Sequence, residues 1–261
     1  PLNVSREILQ HDRKIDSIRA ANVKRVLGLL EKMAKDDAET YQKFWGEFGK
    51  VLKEGPAEDF GNREKIAGLL RFATTKSDGD AQSVSLDQYI ERMVDKQEKI
   101  YYITADNPNA GRYSPHLEVF KKKDIEVLLL TDRVDEWLVS HFTDYKGRHL
   151  QSVAKGELDD ALIKDEEKAE EKEEQAKEHE GFLERVQSSL GDRSKEVRVS
   201  KRLTESPACL VVEDYDMSQN LARVLKQMGQ DAPMPTPILE VNLDHPVVKK
   251  LEQTEGQEQC D

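Results

Sequence analysis

The apolar residues of this chain change their period near residue 99, and that change limits the folds open to it. Upstream, Ile15, Ile18, Val26, Leu29, Leu30 and Met33 recur at three-to-four spacing, followed by Phe44, Trp45, Phe48, Val51 and Leu52, then Ile66, Leu69 and Leu70. This is the period of helices with one buried face. The first ninety residues therefore predict consecutive helices, punctuated at Gly55-Pro56 and Gly61-Asn62. Ser85 and Gln88 have the spacing of a capping box, in which each side chain satisfies the other's backbone donor. Downstream, KIYYIT (99–104) and IEVLLLT (125–131) are β-branched and aromatic runs with little polar interruption, as in parallel strands covered on both faces. Ser114-Pro115 predicts the start of a helix through Phe120, and Asp132 that of a helix carrying Val134, Trp137, Leu138 and Phe142. HLQSVAK (149–155) reads as a third strand, which completes a compact α/β unit.

An acidic run separates this unit from the rest. Residues 165–180 hold nine acidic and three basic residues and almost no apolar face, the composition of a solvated helix or linker. Beyond it, an amphipathic helix from Phe182 to Leu190 ends at Gly191. Strands follow near 197–203 and 208–213, a helix over 217–228 and a strand over 238–242. The predicted architecture is helix-rich, α/β and then α+β.

Charge and composition exclude several classes. A net charge of −12 argues against a nucleic-acid partner. No stretch approaches the roughly 20 apolar residues of a membrane helix, so no membrane association is expected and a soluble, cytoplasmic protein is. Cys209, in an apolar run, and Cys260, in a polar tail, have neither the number nor the spacing of a disulfide framework or zinc site. The sequence lacks a GxxxxGK[ST] loop, a GxGxxG turn after a strand, HExxH and paired CxxC. The six histidines, at 11, 116, 141, 149, 179 and 245, form no ligand spacing. No cofactor, metal or self-contained active site is expected, and the chain alone is not expected to be an enzyme.

Three groups of residues invite a role. Arg6 and Gln10 lie one turn apart on the first predicted helix, near its N-terminal end, where they could meet an anion or simply face solvent. Trp137 sits at the edge of an apolar helix face, open to a core or a contact role. Met217, Leu221, Val224, Leu225 and Met228 form a helical stripe. It reads as a core seam or, given its flexible thioethers, as an adaptable surface.

The opening PLNVSREILQ closely resembles the catalytic-loop segment of the Hsp90 family of molecular chaperones. KIYYITADN, EVLLLTDRVDEWLV, GRHLQSVAKGEL, KEVRVSKRLTESPACLVVED and ILEVNLDHPVVKKL resemble later segments of that family in the same order, over essentially the whole chain. The short charged region resembles the bacterial form. The resemblance divides the chain into the end of a large middle-domain segment with connecting helices (1–95), a small αβα middle subdomain (96–160), a charged helical connector (161–180) and a C-terminal α+β domain (181–261). It implies that Arg6 reaches the ATP γ-phosphate with Gln10 as its helper. Glu136, Trp137 and Ser140 would contact partly folded client protein, as would the helix of Met217, Leu221, Val224 and Leu225. Ser140 stands where some relatives have asparagine, and Leu221 where some have methionine. ATP and Mg belong to the full-length protein, bound by an N-terminal ATPase domain that would be a partner of this chain. The chain opens on Pro1 and stops where the family continues into the helices of its homodimer, so a monomeric or weakly associated piece is expected. Two other readings are a non-catalytic scaffold or interaction module, and a small-ligand α/β enzyme using the strand ends near Thr104 and Thr131.

Overall fold

The computed structural model describes residues 13–156, 175–227, 229 and 234–254. Helix α1 (Arg13–Asp36) and α2 (Ala38–Leu52) pack together and are joined at Asp37, whose carboxylate caps α2 by accepting from Thr40 N–H at 3.1 Å. The short helices α3 (Gly55–Glu58) and α4 (Arg63–Leu69) follow. Leu27 and Leu30 of α1 meet Tyr41, Ile66 and Leu69 in one buried cluster, and the Tyr41 hydroxyl donates to Leu69 O at 2.5 Å.

The period change becomes a five-stranded sheet in the order β1-β3-β2-β5-β4. Its strands are β1 (Ala73–Thr74), β2 (Lys99–Thr104), β3 (Leu128–Leu130), β4 (Asp144–Tyr145) and β5 (Arg148–Ser152). β2 is central and parallel to both β3 and β5, while β1 and β4 pair antiparallel at the edges. Alternation along β2 sends Ile100 and Tyr102 to one face and Tyr101 and Ile103 to the other. The first face is covered by α5 (Leu86–Glu91), by α8 (Arg133–His141) through Leu138, and by Trp45 of α2. Helix α6 (Pro108–Arg112) and a 3₁₀ turn at Pro115–Leu117 lead into α7 (Glu118–Lys122), which covers the second face with Leu117, Val119 and Phe120. The unit is a three-layer αβα sandwich with both sheet faces buried, as the apolar strand runs predict.

The structure corrects several details. β1 and the Phe72–Val84 bridge lie inside the stretch predicted as purely helical, where Trp45, Leu70 and Phe72 share a core with Ile100 and Leu128. Strand β3 is shorter than 125–131 because Ile125 N–H turns back to Phe120 O at 2.8 Å, after Asp124 at φ 53°. The Ser85–Gln88 capping box forms as predicted.

The second unit holds α9 (Glu180–Leu190), a 3₁₀ turn at Gly191–Arg193, β6 (Glu196–Val199), β7 (Ala208–Val211), α10 (Gln219–Gln227), β8 (Ile238–Val241) and α11 (Pro246–Glu252). Its sheet runs β6-β8-β7, with β6 parallel and β7 antiparallel to β8. Phe182 of α9 and Val248 of α11 close a core with Val197, Val241 and Leu243. That core is small, and small units need further fastening. The chain after β5 provides it: Lys155 bridges to Val212, and Gly156 N–H donates to Val212 O at 2.8 Å.

Candidate functional site

Helix α8 is anchored from below by a buried charge cluster. Asp132 and Asp135 form its capping box, and Lys53, the C-cap residue after α2, reaches Asp132 at 2.8 Å and Asp135 at 2.7 Å. Lys53 is only 1% exposed, and its ammonium also lies over the Trp45 and Phe72 rings. Burial pushes the Asp135 carboxyl up. In Asp132 the same burial effect is outweighed by Lys53, which holds that carboxyl below its usual range. A lysine paired this way loses its solvation, so the pair fixes the helix in place more than it adds net stability.

The outward side of α8 carries the predicted residues. Trp137 is 49% exposed and its ring lies 3.9 Å from that of His141, centroid to centroid. Ser140 is exposed and donates to Trp137 O at 2.9 Å. Glu136 behaves differently: it is buried, and its carboxylate accepts from Ser218 Oγ at 2.9 Å and Asn220 Nδ2 at 2.8 Å. Both donors sit at the start of α10, so Glu136 ties the first unit to the second instead of facing solvent. Ser218 also caps α10 by accepting from Leu221 N–H at 2.9 Å.

Other polar ties hold the two units in register. Arg202 is 2% exposed and donates to Val153 O at 2.5 Å and Gly156 O at 2.7 Å in the first unit, and to Glu240 at 2.8 Å in the second. Arg198 and Ser200 also donate to Glu240, and although burial opposes ionisation, the two guanidinium groups hold its carboxyl below the usual range. Glu118 of α7 accepts from the N–H groups of Thr204, Glu205 and Ser206 at 2.6, 2.7 and 3.0 Å. These bonds outweigh its desolvation and lower its pKa. Lys155 donates to Asp216 O at 2.6 Å, with its pKa lowered by burial.

Between α8 and the start of α10 these ties leave a cleft of about 710 Å³, lined by Tyr102, Glu136, Ser140, Tyr215, Met217 and Leu221 among others. Burial beside Glu136 and Asp214 raises the Tyr102 phenol. Tyr215, 80% exposed, stands at its mouth. The cleft thus sets an adaptable thioether, aliphatic side chains and aromatic rings among polar and charged groups that include His149, Lys155, Asp214 and Asp216. A leucine- or methionine-sized side chain fully buried in it would gain about 1.5–3 kcal/mol. Among the described residues, no group of three or more His, Cys, Asp or Glu could hold a metal ion.

The structure brings Glu136, Ser140, Met217 and Leu221 to one cleft and sets Trp137 beside it on the same helix. Leu225 is partly buried one turn further along α10 and is not in the lining. Arg6 and Gln10 lie outside the described residues, as do most of the acidic run and the side chain of Val224. Sequence reasoning passed over Ser218, Asn220, Tyr215 and Arg202. Of these, only Ser218 carried a local signal, as a cap candidate before α10. The described residues define a cleft at the junction of an αβα sandwich and an α+β unit.

Comparison with known proteins agrees with that architecture. The chain matches the family model described as "Hsp90 protein" over residues 1–261, and it belongs to the Hsp90 family. It is 57% identical over 258 residues to the chaperone protein HtpG of Nitrosococcus oceani, covering 99% of this chain and 41% of that protein. It is 56% identical to HtpG of Dechloromonas aromatica over 98% of this chain and 40% of that protein. For HtpG of Legionella pneumophila the identity is 53%, over 96% and 40%. The chain therefore spans about two fifths of the length of these relatives. No helix among the described residues is long and apolar enough to cross a membrane.

Proposed function

We propose that this chain is the client-receiving part of an ATP-dependent molecular chaperone. The observation that carries the reading is the cleft shared by α8 and α10: two folded units contribute its walls, and a half-exposed tryptophan stands at its edge. A surface of this kind accepts partly folded protein by burying exposed apolar side chains without demanding one shape. In the whole protein, ATP and Mg would be held by a separate N-terminal ATPase domain. Arg6 would reach the γ-phosphate with Gln10 one turn on, supplying positive charge where phosphoryl transfer develops negative charge. The resemblance of PLNVSREILQ to the family's catalytic loop supports that role, and the whole protein would act as a homodimer. The test has two parts. Trp137→Arg and Leu221→Asp should each weaken binding of a partly folded protein while far-UV circular dichroism stays unchanged; equal binding by both variants would refute the cleft. Adding the separate ATPase domain should raise ATP turnover with the wild-type chain and not with Arg6→Ala; equal stimulation by both would refute the arginine role.

A further inference from the structure

A second cavity, of about 450 Å³, adjoins the cleft at the carboxyl ends of β2 and β5 and shares Thr104, Ser152, Lys155 and Ser218 with it. Its floor is Thr104, the last residue of β2, and Ser152, the last of β5. Those two parallel strands are neighbours. The segment leaving β2 carries α7 across one face of the sheet to β3, and the segment leaving β3 carries α8 across the other face towards β5. Adjacent parallel strands whose connections diverge open a crevice at their carboxyl ends, the usual place for a ligand in open α/β sheets. Here the second unit roofs the crevice.

The lining is cationic. Lys155, Arg223 and Lys226 face it, and among the described residues no aspartate or glutamate does. Lys155 spends one proton on Asp216 O, which leaves two, and Arg223 is held at the rim by Asp106 at 2.5 Å. His116 also lines the cavity, and although its side chain is partly exposed overall, its Nδ1 is sequestered without a hydrogen-bond partner. Burial, aided by nearby Arg202, pushes this imidazole down to about 4, so it is neutral near pH 7 and can offer either a donor or an acceptor.

We infer that this cavity binds a small phosphate monoester, its phosphoryl oxygens taken by Lys155, Arg223 and Lys226 and its hydroxyl-bearing body by His116, Thr104 and Ser152. The role assigned to the site is binding, not reaction. A ligand in it touches both units at once and would hold their relative orientation. The inference stands on the cavity alone and is independent of the client reading.

Titration calorimetry on the whole chain tests it, with glycerol 3-phosphate, inorganic phosphate and glycerol as separate probes, alongside nuclear magnetic resonance of the His116 ring nitrogens. The expected result is saturable binding of glycerol 3-phosphate, weaker binding of phosphate and none of glycerol, with the His116 signals moving in step. Lys226→Gln, an exposed substitution, should weaken binding about tenfold, the loss of one charge-assisted bond. Lys155→Gln combined with Arg223→Gln should abolish it. Absence of saturable binding by either phosphate-bearing probe would overturn the inference, as would equal binding of glycerol, or affinity untouched by Lys226→Gln.

Discussion

Replacing Arg202 with methionine separates the contribution of the junction from that of the cores. The guanidinium is 2% exposed and satisfies Val153 O, Gly156 O and Glu240 together. Methionine fills much of the same volume and donates nothing. Two carbonyls then lose a charged donor, and the Glu240 carboxylate, 3% exposed, keeps only Arg198 and Ser200. Breaking a buried pair on one side costs about 3–5 kcal/mol. Taking ~4 kcal/mol, the opening constant of the second unit rises roughly a thousandfold, since each 1.36 kcal/mol is a factor of ten. Native-state hydrogen exchange at the β8 amides reads this directly, because those amides open with the second unit while the β2 amides report on the sandwich. Protection at β8 should fall by about three orders of magnitude and at β2 by much less. Replacing Glu240 by methionine in the same chain should recover a large part of the loss, because the stranded charge is then gone. A fall of less than tenfold at β8, or a double variant no better than the single, would refute the reasoning.

Further predictions follow from the same contacts. Lys53→Met leaves Asp132 and Asp135 facing each other under α8 and should destabilise the sandwich by about 3–5 kcal/mol, read as a lower urea midpoint by Trp45 and Trp137 fluorescence. Glu118 and Glu240 both have pKa values lowered from 4.5 in the folded chain, so their contribution is full above that value and is lost as pH falls through their folded pKa values. Stability of the junction, followed by thermal melting, should therefore drop in the acid range below about 4.5, and Glu118→Gln should flatten part of that drop. Gly156 has φ +55°, and an added Cβ would collide with the Asp214 carboxylate, so Gly156→Ala should cost about 1–2 kcal/mol by strain and displacement.

The sequence was most informative where a structural rule is local. The capping box at Ser85 and Gln88, the cap at Asp132 and the strand run at 99–104 are each complete within a few residues, and all three form. The sandwich was legible for the same reason: strands buried on both faces must be apolar throughout. β1 was invisible because two residues carry no period. What holds it lies far along the chain, where Thr74 Oγ1 donates to buried Glu126 at 2.5 Å and Arg92 pairs with the same carboxylate at 2.7 Å. The candidate site was legible in part. Trp137 was placed at a helix edge by spacing and is half-exposed there. Glu136 sits one residue away and is buried, because its partners Ser218 and Asn220 come from more than eighty positions downstream and no local pattern announces them. Arg202 reads in sequence as one more surface arginine, yet it is among the largest fully buried side chains.

The central claim is that partly folded protein enters the cleft between α8 and α10, and the methionine methyl groups can report it. Of the five methionines, Met217 lines the cleft, whereas Met93 packs against the sandwich core and Met33 against the α1–α2 cluster. With methyl-labelled methionine, titration of a partly folded protein should shift and broaden the Met217 signal while Met33 and Met93 stay in place, and Leu221→Asp should remove the response. A Met217 signal that does not move under conditions where binding is complete would contradict the account.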